Sequence, residues 1–183
     1  MAAQAAGAST PTVALKPIAV SVAHAVPGHD AVEGTLHVAV PKSWRTLRPA
    51  QHDPGVVTLR FAPGGGGACV AGISISTRLA VTRESATGQV AHALAPGHRV
   101  LALGRGRRPH GAWGLDEVDS SAAAVPTRSL YAIGVLHVRA RESLQVRVLA
   151  SFTGPCSDTA VRSGQVPRTL RRVAEDARFA ARR

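Results

Sequence analysis

"SLYAIGVLHVRARESLQVRVLASF", residues 129–152, is the stretch whose reading decides the fold. Its second half sets Leu144, Val146, Val148, Ala150 and Phe152 at every second position, the period that lines one face of a β-strand. Arg141, Glu142 and Ser143 supply a turn, and SLYAIGVLHVRA runs in ahead of it, so Arg128 to Phe152 reads as an antiparallel hairpin.

The same period recurs upstream. IAVSVAH (18–24) alternates, and GTLHVAV (34–40) puts Leu36, Val38 and Val40 on one face; Pro27, Gly28 and Asp30 lie between them, the composition of a turn. A second hairpin is therefore expected there. Pro41 ends the second strand, SWRTLRPAQHDPG leads to a third at 56–62, and a glycine run follows. Cys69, Ala71, Ile73, Ile75, Thr77, Leu79 and Val81 then share one parity of a long half-buried strand. ESATGQVAHAL (84–94) fits a short helix through Ala86, Val90, Ala93 and Leu94, and HRVLALG (98–104) fits a strand. GRGRRPHGAWG (104–114) reads as a basic, turn-rich loop. At the end, Val166, Leu170, Val173, Ala174, Ala177 and Ala181 form the apolar stripe of one amphipathic helix, with Pro167 in its first turn.

Six or seven strands with two helices and short connections predict an α+β fold, a mostly antiparallel sheet with a mid-chain helix and a C-terminal helix packed on it. Strands and helices do not alternate regularly, which argues against a doubly wound parallel sheet. Residues 1–16, rich in Ala, Ser, Thr and Pro, read as a poorly ordered leader, and 17–183 as a single domain. The start has no charged segment followed by an apolar core of signal-peptide type, and no apolar run is long enough to span a bilayer as a helix.

The segment TLHVAVPKSWRTL (35–47), a strand ending in Pro41 with Trp44 three residues on, resembles the opening feature of the Mog1/PsbP-like α/β/α sandwich group. The order of elements over residues 18–180 is also similar. That resemblance implies a small actinobacterial protein, secreted or lipid-anchored, serving as a binding or assembly module more than as an enzyme. An extracytoplasmic location is the expectation, with the cytoplasm as its alternative, and the expected partner is another protein.

Composition suggests a second class of partner. Of the 183 residues, 22 are Lys or Arg and 11 are Asp or Glu, giving a net charge of +11, which favours polyanions. The arginines are scattered, but Arg105, Arg107, Arg108 and His110 with Trp113 form one cluster that, together with the C-terminal helix, could grip an anionic polymer such as a nucleic acid, because guanidinium forks bind phosphate or carboxylate bidentately and indole stacks. A solvated loop with Trp113 packed on the core is the competing reading.

Catalytic and cofactor motifs are missing from the sequence. APGGGGACV (62–70) lacks the Lys and Ser or Thr of a phosphate-binding loop and leads into a strand, so it reads as a hairpin turn. GRGRRPHG has Pro109 where a dinucleotide fingerprint needs its third glycine. There is no G-x-S-x-G elbow, and the eight histidines make no H-x-x-x-H face, so neither a cofactor nor a metal is expected. Asp116, Glu117 and Asp119 read as a solvated turn, with an acid/base pair of a small hydrolase as the alternative. Cys69 and Cys156 both lie near strand ends and are placed for a disulfide, although Gly154 and Pro155 interrupt the second strand; two buried thiols are the alternative.

Overall fold

The 129–152 hairpin lies inside the larger of two sheets in the computed structural model, which describes residues 13–47, 51–53, 56–62, 70–93, 99–105, 112–120, 127–153 and 165–182. Strands β9 (Thr127–Arg139) and β10 (Glu142–Thr153) pair antiparallel, with Val148 opposite Ala132 and Leu144 opposite Leu136. Residues 140–141 form the turn; Glu142 and Ser143, expected within it, instead open β10 with a register irregularity between them, and Glu142 binds the Arg139 guanidinium. That hydrogen bond is the main cause holding the Arg139 pKa above its ordinary value. Arg139 also donates to the Asp30 carbonyl at 3.0 Å, tying this hairpin to the connection of the N-terminal one.

On the far side of β10 lie β6 (Val70–Val81) and then β5 (Val56–Ala62), with short strands β3 (Arg45–Thr46) and β4 (Gln51–Asp53) pairing opposite ends of β5. Beyond β9 come β8 (Ala112–Ser120) and β7 (Arg99–Arg105). The smaller sheet orders β1 (Leu15–His24), β2 (Val32–Pro41) and β11 (Arg178–Ala181), and every described pairing in both sheets is antiparallel. β1 and β2 form the expected hairpin with Val20 opposite Leu36, and Gly28 takes the left-handed φ of 78° in the connection.

One face of the larger sheet carries the apolar rows read from the sequence: Leu144, Val146, Val148, Ala150 and Phe152 on β10, Ile73, Ile75 and Leu79 on β6, Val57, Leu59 and Phe61 on β5, all buried. Against them pack Val22, Leu36, Val38 and Val40 of the smaller sheet and Leu170, Val173 and Ala174 of helix α2 (Gln165–Glu175). Pro41 ends β2, and the Trp44 amide donates to its carbonyl at 3.0 Å. This turn brings the indole into the core against Phe61, ring centroids 5.8 Å apart. The opposite face is covered over β7, β8 and β9 by helix α1 (Ala86–Ala93), whose Val90 meets Ile133, Val135 and Ala112. Ser85 caps that helix, accepting from the Gly88 amide at 3.1 Å. The result is an α+β sandwich: α1, the larger sheet, and a third layer shared by α2 and the smaller sheet.

Further expectations fail. Both ends of the stretch read as a loop over 104–114 are strand, Gly104 and Arg105 closing β7 and Ala112–Gly114 opening β8. The C-terminal helix does not run to Ala181: it stops at Glu175, and Arg178–Ala181 form β11. Phe179 lies over Gly34 opposite Leu36, and the Arg182 amide donates to the Glu33 carbonyl at 2.7 Å; pairing with β2 overrides the helical spacing of the two alanines. Likewise Asp116, Glu117 and Asp119 do not form a solvated turn but belong to β8. Glu117 is buried there because two cations neutralise it, Arg99 in direct contact and Arg128 at 3.7 Å.

Helix α2 crosses the sheet at two adjoining places. A Cβ on Gly134 would stand 2.3 Å from the Ala174 carbonyl oxygen, so only a residue without one lets the helix this close. One strand over, the Arg171 guanidinium lies 3.6 Å from the centroid of the Trp113 ring, held also by Glu175 at 3.3 Å.

Gly134→Val should force α2 off the sheet, costing about 1–3 kcal/mol by the usual range for overpacking and lowering Tm by several degrees, whereas Gly72→Ala, with nothing within 4 Å of its added carbon, should be near neutral. Paired urea and thermal melts check both. Arg171→Ala should cost on the order of 1 kcal/mol and, in a Trp44→Phe background, shift Trp113 emission to longer wavelength as water reaches the ring. An unshifted spectrum with unchanged stability would show that the stacked cation contributes nothing.

Candidate functional site

Alternation leaves one face of β5, β6 and β10 outside the core, met by α1 only at the Ser143 and Gln145 end of β10. In successive cross-strand rows it presents Val56, Arg78 and Gln145; then Thr58, Ser76 and Arg147; then Arg60, Ser74 and Leu149. Arg60, Arg78 and Arg147 are exposed, while the small hydroxyl residues between them are half-buried. The face is thus a shallow platform of hydroxyls from which three guanidiniums rise on three neighbouring strands. Arg147 leans toward Tyr131 of β9, 5.7 Å from its ring centroid.

Five other arginines are engaged by carboxylates: Arg99 and Arg128 by Glu117, Arg139 by Glu142, Arg171 by Glu175 and Arg172 by Asp176. Among the described residues no carboxylate pairs with Arg60, Arg78 or Arg147. Their charge is directed outward, in the planar geometry that suits carboxylate or phosphate oxygens.

Where the platform meets α1 there is a groove of about 900 Å³, lined among others by Val56, Arg78, Gln145, Arg147, Gln89 and His92. A side-chain network sets its floor: Gln89 donates to Ser143 Oγ at 3.2 Å and to the Glu84 carbonyl at 3.3 Å, and Gln145 donates to Gln89 Oε1 at 3.4 Å. At the rim His92 Nδ1 lies 2.7 Å from Glu84. These groups bind one another, so the groove is lined by paired polar groups on the helix side and by cations on the sheet side.

The residues expected from sequence to bind an anionic polymer are distributed as follows. Arg105 is exposed at the end of β7, opposite Ala112, and Trp113 is 7% exposed, between Gly104 of β7 and the stacked Arg171. Arg107, Arg108 and His110 lie outside the described residues, as do Cys69 and Cys156. No group of three or more His, Cys, Asp or Glu side chains fit to hold a metal ion occurs among the described residues.

Sequence reasoning did not single out Arg60, Arg78 and Arg147, which are 87 positions apart from first to last. Each sits at a polar position of an alternating strand, and only the β5-β6-β10 order makes them neighbours. That order is long-range information.

No protein-family model matches the chain, and no curated protein does either. Among solved structures, the 1.9 Å crystal structure of the Saccharomyces cerevisiae Ran-binding protein Mog1p is similar, with a TM-score of 0.54 over 92% of this chain and 100% of that one, at 9% identity. At that identity the likeness speaks to the fold alone. The chain has the Mog1-type α+β fold that its Pro41 and Trp44 feature implies.

Proposed function

We propose that this chain is a non-catalytic binding module that works outside the cytoplasm and recognises an acidic surface of a partner protein through the open face of β5, β6 and β10. The observation that carries the reading is the set of three exposed guanidiniums on adjacent strands, none paired with a carboxylate among the described residues. The Ran-binding role of Mog1p, a protein of like fold, supports protein recognition by analogy. Carboxylates of the partner supply what the guanidiniums lack, and the small hydroxyls between them let a second backbone approach.

A second reading keeps the anionic polymer. Arg171 on Trp113 brings α2 beside β8, so the exposed α2 arginines stand on one face of the sheet edge at which Arg105, with the α1-side parity of Leu103, ends β7 on the other. This arrangement supports polymer binding there, in competition with the open face.

The extracytoplasmic part of the reading rests on the cysteines. Val70 and Phe152 are cross-strand partners on β6 and β10, with Cys69 directly before the one and Cys156 four positions after the other. A bridge closing a loop of that length would stabilise by roughly 4–5 kcal/mol on a chain-entropy account.

Titration of a fluorescent glutamate-rich peptide and of a single-stranded DNA oligomer separates the two surfaces. The triple variant Arg60→Ala, Arg78→Ala, Arg147→Ala should weaken peptide binding by roughly tenfold or more, with an affinity that falls as salt rises, and Arg105→Ala with Arg168→Ala should leave it unchanged. If only the second variant loses binding, or DNA is the preferred probe, the open face is not the site. In parallel, thiol titration of denatured, unreduced protein should find no free thiol; two would remove the support for an oxidising compartment.

A further inference from the structure

Among the described residues four large apolar side chains are exposed, and three of them, Val100 (47%), Leu101 (37%) and Leu103 (45%), belong to β7. β7 ends the larger sheet: β8 pairs with one side of it, and among the described residues no strand pairs with the other. Its outer row of backbone N–H and C=O groups is therefore open to a further strand.

The register shows how the apolar side chains come together. Val100 lies opposite Asp116 and Leu103 opposite Gly114, with a shift between Val100 and Ala102 that leaves Leu101 as the extra residue of a bulge. In a regular strand Val100 and Leu103, three positions apart, would point to opposite faces. The bulge sets both on the α1 side, where Leu103 lies against Gly114 beside Val90 of the helix. Ala102 takes the other side and packs on the main core. The strand edge and a short apolar ledge thus run side by side.

We propose that β7 accepts an extended strand of a partner protein in which apolar side chains alternate with carboxylates. Backbone pairing along the edge supplies affinity, and the ledge takes the alternate apolar side chains. Charge selects this occupant over a second copy of the chain. Two β7 strands paired antiparallel about Ala102 would set Arg99 of one against Arg105 of the other at both ends, and would join two chains each carrying a net charge of +11. A carboxylate-bearing strand instead meets the exposed Arg105 and the outer side of Arg99, whose guanidinium already binds Glu117. This surface lies across α1 from the arginine platform and does not depend on it.

The test uses the whole protein and a labelled peptide of about ten residues alternating valine or leucine with glutamate. Saturable anisotropy is expected, weakened about tenfold or more when alternate peptide amides are N-methylated, since backbone donors are then lost. Hydrogen exchange should slow in β7, and Leu101→Lys with Leu103→Lys should weaken binding to a similar degree while circular dichroism stays unchanged. Absence of binding, binding indifferent to N-methylation or to the double variant, or slowed exchange on β5, β6 and β10 in place of β7 would each overturn the proposal. So would a dimer in sedimentation equilibrium that the double variant abolishes, because a second copy would then hold the edge.

Discussion

The fold depends on one buried row. Leu144, Val146, Val148, Ala150 and Phe152 of β10 are fully buried on one face of a strand paired on both sides, by β6 and by β9. Because the side-chain period is two, slipping β10 by one residue would exchange this row for Gln145, Arg147, Leu149 and Ser151, burying a guanidinium without a partner. Pairing register, core composition and the outward direction of Arg147 are therefore one constraint. The third layer obeys it too: α2 and the smaller sheet both pack on the face that this row defines.

How far the sequence reveals this varies by element. The two hairpins and β6 are legible because alternation over many residues has no helical equivalent, and the same period marks β5. Pro41 and Trp44 are legible for a local reason, a strand stop followed by a turn that delivers an indole to the core. β8 is not. Its buried carboxylate, its glycine and its aspartates are poor strand formers, and Glu117 is tolerated only because Arg99 and Arg128 arrive from β7 and β9. β11 is hidden by the reverse fault: its alanines extend a helical stripe convincingly, and the pairing with β2 that overrules them is about 140 residues away in the chain. The candidate site belongs to this hidden class. Arg60, Arg78 and Arg147 have nothing in common until β6 is placed between β5 and β10.

Positive charge is thus sorted into two populations with different physical roles. Arg99, Arg128 and Arg171 hold structure, by neutralising a buried glutamate or covering an indole that a core of small aliphatic side chains cannot enclose fully. Arg60, Arg78 and Arg147 pair with no carboxylate among the described residues, and they are exposed on an open face. Removing a cation of the first kind leaves a buried group exposed to water or unpaired, so its effect falls on stability; removing one of the second kind leaves the fold as it was and lowers only the field above the platform. Net charge alone does not separate these roles.

The same charge bears on how an apolar sheet edge can persist. Exposed edges invite pairing with further copies, and β7 has the apolar side chains to reward it. A bulge at Leu101 breaks its regularity, and arginines stand at both ends, so approach of an identical edge is opposed by geometry and by charge together. Neither obstacle acts against a strand of opposite charge, which can follow the bulge because it is not constrained to repeat it. A feature that guards against self-association thereby becomes a filter for partners: the edge stays open, and its arginines determine the sign of charge that can occupy it.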